Sequence, residues 1–81
     1  MTLKVLYFAS LRDRTGTAEE AIDVADGADV AALWATLTER HPGLRAVGVR
    51  PLAACDRTYA AWDRPLAGVA EVAFLPPVSG G

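Results

Sequence analysis

Two glycines, Gly80 and Gly81, close the sequence, and Pro76-Pro77-Val78-Ser79 before them lose side-chain bulk towards that end. A Gly-Gly terminus can enter a narrow channel and adopt backbone angles closed to other residues. Its reacting group is the terminal carboxylate, ionised at neutral pH because its ordinary pKa is about 3.3–3.7. Attack of that carboxylate on the α-phosphate of ATP gives an acyl-adenylate. Displacement of AMP by a sulfur nucleophile then leaves a terminal thiocarboxylate, a form of sulfur that another active site can draw on. The same pair also fits a loose end with no chemistry, because chain termini are commonly disordered and rich in small residues. The glycines therefore need context.

The other chemistry-bearing residues supply no rival site. Cys55 is the sole cysteine, which excludes an internal disulfide and suits a reducing compartment. It lies in an apolar stretch with no base beside it and reads as a packing residue rather than a sulfur relay. His41 is the only histidine. It has no second ligand to form a metal site, and at a helix end its imidazolium would favour the dipole. No Ser/His/Asp arrangement or phosphate-cradling loop can be assembled. Any catalytic residues must come from partners, and no bound cofactor or metal is expected.

Composition narrows the classes further. With 81 residues there is room for one domain and one small core. Residues of the apolar set make up 52% of the chain and charged residues 22%, enough to fold rather than remain disordered. The net charge is -2 and the arginines are scattered, so no phosphate-tracking surface for nucleic acid is expected. Trp34 and Trp62 accordingly read as core rather than as a base-stacking platform. Lys4 is the only lysine, which argues against a modifier that builds chains on itself. The apolar run Leu3 to Ala9 is too short to span a membrane and no secretory cleavage site follows it, so a cytoplasmic protein is expected.

The tail must be held by something. Leu3 to Ala9 reads as a strand, and Ser10, with Asp13 three residues on, as the cap of a helical turn that stops at Gly16. Glu19 to Val24 is a second strand, with Glu20, Ile22 and Val24 on one side. Asp29 caps the clearest helix, whose Val30, Leu33, Trp34 and Leu37 fall at i, i+3, i+4 and i+7. That helix should stop near His41, before Pro42, with Gly43 as a left-handed exit. Leu52 to Cys55 and Thr58 to Trp62 read as short strands flanking Asp56 and Arg57, and Glu71 to Leu75 as a last strand ended by Pro76 and Pro77. One main helix across one face of a mixed sheet is the α+β architecture this order predicts, with residues 1–75 as a single domain and 76–81 as an extended, flexible tail.

A sheet covered on one side should turn polar on the other, and Lys4 and Glu71 mark the uncovered face. Counting by twos from each puts Leu6, Phe8, Ala73 and Leu75 there too, with Tyr59 a further candidate. If the first and last strands are neighbours, the result is an exposed apolar patch of the kind that marks a partner site. A register off by one would instead turn Tyr7 and Phe74 outward.

The stretch Glu71-Val72-Ala73-Phe74-Leu75-Pro76-Pro77-Val78-Ser79-Gly80-Gly81 closely resembles the C-terminus of the small, sulfur-carrying subunits of molybdopterin synthase, the MoaD type of ubiquitin-like sulfur carrier within the MoaD/ThiS family. Lys4 to Ala9 with Leu11-Arg12 is similar to that family's opening strand and turn. Leu52 to Asp56, with Asp63 and Pro65-Leu66, is similar to its central hairpin. The resemblance implies a ubiquitin-like β-grasp fold and a chain that is not an enzyme on its own. It further implies that Gly81 is adenylated, with ATP used by a partner related to the ubiquitin-activating enzymes, and then carries sulfur as 1-thioglycine supplied by a sulfurtransferase. Gly80 gives the tail its access. The acceptor implied is the pyranopterin precursor, cyclic pyranopterin monophosphate, held by a large catalytic subunit in a heterotetramer of two small and two large subunits. By position, the family's partner-contacting residues fall on Phe8, Arg12, Tyr59 and Leu75, followed by Pro76, Pro77, Val78 and Ser79. Asp56, where asparagine is common, and Gly68-Val69-Ala70-Glu71, in place of the usual Gly-Asp-Glu turn, depart from the pattern. Carriers for thiamine thiazole formation or tRNA thiolation, and a ubiquitin-like interaction domain or modifier without sulfur chemistry, are the alternatives.

Overall fold

The computed structural model describes residues 1–77. Val78, Ser79, Gly80 and Gly81, to which the sequence assigns the reactive end, lie outside the described residues. The elements are β1 (Thr2–Tyr7), α1 (Ser10–Thr15), β2 (Glu19–Asp23), α2 (Val30–Arg40), a 3-10 helix (Pro42–Ala46), β3 (Leu52–Cys55), β4 (Thr58–Ala60) and β5 (Glu71–Leu75). They form one five-stranded sheet in the order β2-β1-β5-β3-β4. β1 and β5 are parallel, while β1 and β2, β3 and β5, and β3 and β4 are antiparallel. A helix held across one face of such a mixed sheet, with the first and last strands side by side, is the predicted β-grasp.

The period-two pattern explains which face α2 covers. Leu3, Val5 and Tyr7 of β1, Ile22 of β2, and Val72 and Phe74 of β5 are all buried, and they meet Val30, Leu33 and Leu37 on the stripe of α2. Each of these large side chains contributes about 1.5–3 kcal/mol by leaving water. Trp34 sits at the edge of this core, half-buried, where it packs with Trp62 and Phe74 at centroid separations of 5.9 and 5.0 Å.

The N-terminus of α2 is closed from two sides. Asp29 Oδ1 accepts the Ala32 amide at 2.8 Å, as the sequence predicts. The amides of Val30 and Ala31 donate to the carbonyls of Arg64 and Trp62, so the loop before β5 satisfies donors that a helix start leaves without partners.

Other local expectations are corrected. Ser10 is the first helical residue of α1 and caps nothing, since the N-cap position is Ala9, at φ 52°, with no side-chain cap. β1 ends at Tyr7 and β4 at Ala60, both shorter than predicted, and Trp62 instead donates its indole N–H to the Pro51 carbonyl at 3.1 Å. Gly43 is not a left-handed exit. His41, extended because Pro42 follows it, ends α2, and the chain enters the 3-10 helix. A Cβ on Gly43 would lie 2.6 Å from the Arg14 carbonyl oxygen, so glycine is needed there for close approach to α1. The turn before β5 closes with Val69 N–H donating to the Leu66 carbonyl, and Val69 is buried.

His41 does more than face a helix dipole. Its Nε2 lies 2.5 Å from Glu20 Oε2, the Tyr7 hydroxyl donates to the same oxygen at 2.6 Å, and Arg40 Nε lies 2.8 Å from Glu20 Oε1. Burial alone would raise the Glu20 pKa, but the hydrogen bonds from Tyr7 and His41 and the nearby His41 and Arg40 charges outweigh it, and the carboxyl is held below its usual range. This carboxylate ties β1 and β2 to the end of α2.

Two outcomes follow from this packing. Asp29→Ala lowers stability by about 1 kcal/mol in a denaturant titration, from the lost cap. Because the folded-state pKa of Glu20 is depressed, its contribution is present above its unfolded value of about 4.3 and is lost as pH falls through the folded pKa. Glu20→Gln therefore lowers the melting temperature at neutral pH and flattens its fall on the acid side. Parallel curves for the two proteins would refute the assignment.

Candidate functional site

The uncovered face of the sheet owes its shape to four residues in register. Leu6 pairs with Ala73, Ala73 with Ala54, and Ala54 with Tyr59, so one row crosses β1, β5, β3 and β4. Two alanines between a leucine and a tyrosine leave a trough. The resulting depression, of about 410 Å³, is completed by Phe8 and Leu75, with Arg57 and Glu71 as its charged residues. Phe8 is 45% and Tyr59 70% exposed, unusual for aromatic side chains unless something else covers them. The two counts from Lys4 and Glu71 agree because those residues are themselves cross-strand partners.

The predicted residues divide. Phe8, Tyr59 and Leu75 are brought together around this one depression. Arg12 is exposed on α1 and does not line it. Pro76 and Pro77, both half-buried, follow β5 directly, so the chain leaves the sheet beside Leu75. Proline has no amide to continue a ladder, which ends β5 at this point. Ala54 and Arg57 were not singled out from the sequence. The available signal was the two-residue spacing of Asp56-Arg57 between short strands, which marks a tight hairpin and sets the register that turns Ala54 outward.

Backbone strain collects around the same depression. The non-glycine residues with positive φ among the described residues are Ala9, Asp56 and Arg57, at 52°, 48° and 71°. Ala9 follows Phe8, and Asp56 and Arg57 form the β3–β4 turn. Such conformations cost on the order of 1 kcal/mol each and cluster at functional surfaces.

A larger depression, of about 720 Å³, lies between the β3–β4 hairpin and residues 61–65 and is lined by Cys55, Asp56, Asp63 and Arg64 among others. Its composition does not support sulfur chemistry. Cys55 is 5% exposed, and burial pushes its thiol pKa up, against a smaller opposing effect of Arg64, so the thiolate needed for nucleophilic attack is disfavoured. Among the described residues no cluster of His, Cys, Asp or Glu could hold a metal ion, and no helix is long and apolar enough to cross a membrane.

Residues 5–81 match the ThiS family. The chain is 37% identical over 86 residues to the molybdopterin synthase sulfur carrier subunit of Chlamydomonas reinhardtii, each covered over 100% of its length. It is 35% identical over 83 residues to the protein of that name from Caenorhabditis elegans, covering 100% of this chain and 99% of the other. Among solved structures, SAMP1 from Haloferax volcanii superposes with a TM-score of 0.84 at 28% identity, with both chains covered over 100%.

The two faces can be told apart by substitution. Phe8→Asp changes stability by no more than about 0.5 kcal/mol because the side chain already meets water. Phe74→Ala, from the opposite face of the sheet, costs about 3–5 kcal/mol. Urea titrations followed by circular dichroism check both, and a similar loss for the two would mean that the faces are misassigned.

Proposed function

This chain belongs to the ThiS family, and on that premise we propose that it is the sulfur carrier subunit of molybdopterin synthase. The observation that carries the reading is identity of 31–37% to proteins of that name over nearly the whole of both chains. The geometry adds a reason. β5 passes through the middle of the sheet, its Leu75 borders the apolar depression, and residues 76–81 follow. A protein seated on that depression thus lies against Leu75, the last residue of the sheet before the tail begins.

In this reading the Gly81 carboxylate attacks the α-phosphate of ATP inside an adenylating partner, releasing pyrophosphate. A persulfide on a sulfurtransferase displaces AMP to give an acyl disulfide, and attack of a second thiol on its S–S bond releases 1-thioglycine at Gly81 and leaves a disulfide on the donor. The carrier then docks on the large subunit, two copies of each forming a heterotetramer, and the thiocarboxylate gives its sulfur to the pyranopterin precursor. This chain contributes recognition through Phe8, Tyr59 and Leu75 and delivery through residues 76–81. It binds no cofactor itself, and its lone buried cysteine suits the cytoplasm. A modifier role is a second reading, favoured by the likeness to SAMP1, a small archaeal modifier protein, since the same activated C-terminus can be passed to an amine.

Intact mass after incubation with the adenylating enzyme, ATP and a sulfur donor tests the chemistry. The expected product carries one sulfur in place of one oxygen. An unchanged mass with an active partner would sink the carrier reading, and formation of amide-linked adducts alone would favour the modifier. Deleting Gly81 abolishes the mass change while the melting temperature stays as it was. Leu75→Asp weakens binding to the large subunit at least about tenfold, as expected for a charge placed in an apolar contact.

A further inference from the structure

We propose that Arg57 selects the partner at this docking face by pairing with a carboxylate on the large subunit. The inference rests on the reading of the outer depression as the docking surface. Its starting point is a misfit between residue type and backbone. Cys55 pairs with Thr58, which leaves Asp56-Arg57 as a two-residue hairpin loop with both residues at positive φ. Such a loop favours asparagine or aspartate followed by glycine. Asp56 fits that preference, and Arg57, at φ 71°, does not. Glycine at 57 would satisfy the turn with less strain, so turn geometry gives no reason for an arginine.

The turn is also held in place. The Asp56 carboxylate accepts the Ala70 and Glu71 amides at 3.1 and 3.0 Å, and the Asp56 amide donates to the Glu71 carbonyl at 2.8 Å. The hairpin is thereby fixed to the start of β5, and Arg57 is kept at the edge of the depression that it lines.

Nothing among the described residues uses its charge. The ion pairs there are Lys4–Glu19, Arg40–Glu20 and His41–Glu20, and the Arg57 guanidinium makes no side-chain hydrogen bond. A protein covering Leu6, Phe8 and Leu75 would strip water from this guanidinium. Leaving a cation desolvated without an anion is costly, so a matching partner must supply one. A carboxylate fits the planar fork best, and a partner with a cation or an apolar group at that place is rejected. Glu71 lines the same depression without forming an ion pair, so an internal Arg57–Glu71 pair that closes on docking is the rival to be tested.

The experiment is calorimetric titration of the recombinant large subunit from the same genome with the full-length chain and its variants, at about 50 mM and about 500 mM salt. Arg57→Gly should melt at the parent's temperature or above and bind about tenfold more weakly at low salt, with the gap narrowing at high salt. Arg57→Glu should bind more weakly still, and Arg57→Lys should recover part of the loss. Parent-like binding by Arg57→Gly while Leu75→Asp has lost binding would overturn the role of Arg57 and leave the docking face standing. Parent-like binding by both would overturn the docking face itself. A lower melting temperature for Arg57→Gly, or a loss insensitive to salt, would make the arginine structural. Disappearance of the Arg57→Gly effect in a Glu71→Gln background would make the pair internal and refute the intermolecular one.

Discussion

The parallel pairing of β1 with β5 is the constraint on which the rest of this molecule depends. Parallel neighbours cannot be joined by a tight turn, so everything from Phe8 to Ala70 serves as the connection between two strands that touch along Lys4–Glu71 to Tyr7–Phe74. That connection has to cover one side of the pair, and α2 does so. The opposite side is left bare, because no other helix crosses it among the described residues. The apolar trough is therefore a direct consequence of how the core is closed. One strand pair sets both the core face, through Val5, Tyr7, Val72 and Phe74, and the outer one, on which Leu6 and Leu75 are half-buried and Ala73 is buried at the floor of the trough.

Two polar fixtures keep the long connection in place. At one end Glu20 gathers Tyr7, Arg40 and His41 around a single carboxylate, holding the end of α2 against β1 and β2. At the other, Asp56 holds the β3–β4 hairpin to the start of β5. The strands β2 and β5 are thus each tied by a carboxylate, one half-buried and one exposed. Neither carboxylate is left without donors, which is the condition for removing such a group from water.

Much of this was legible in the residues. The alternation in Leu3 to Ala9 and Glu71 to Leu75, the stripe Val30-Leu33-Trp34-Leu37 and the Asp29 cap depend on local periodicity and local hydrogen bonds, and these elements formed where the pattern placed them, except that β1 stops at Tyr7 and Trp34 is only half-buried. Counting by twos also identified Leu6, Phe8, Ala73 and Leu75 as outward. What was not legible depends on partners distant in sequence. Gly43 looked like a helix exit because its neighbour Arg14 lies on another element. His41 looked solitary because Glu20 comes 21 residues earlier. Ser10 looked like a cap because its type and spacing fit, while the chain's turn at Ala9 had already moved the helix start by one residue. The concavity was hidden for the same reason, since Ala54 and Ala73 become neighbours only through the strand order.

The central place of β5 also bears on synthesis. A chain emerging from the ribosome can form the β1–β2 and β3–β4 hairpins early, yet these two halves of the sheet share no ladder until the strand between them arrives. Val72 and Phe74, both fully buried, enter last, and only then can the core close. A copy interrupted before Glu71 has no route to the native state and is left to the proteases that remove unfolded chains. Folding therefore acts as a length check: a molecule that presents the complete five-stranded sheet has already been made as far as Leu75.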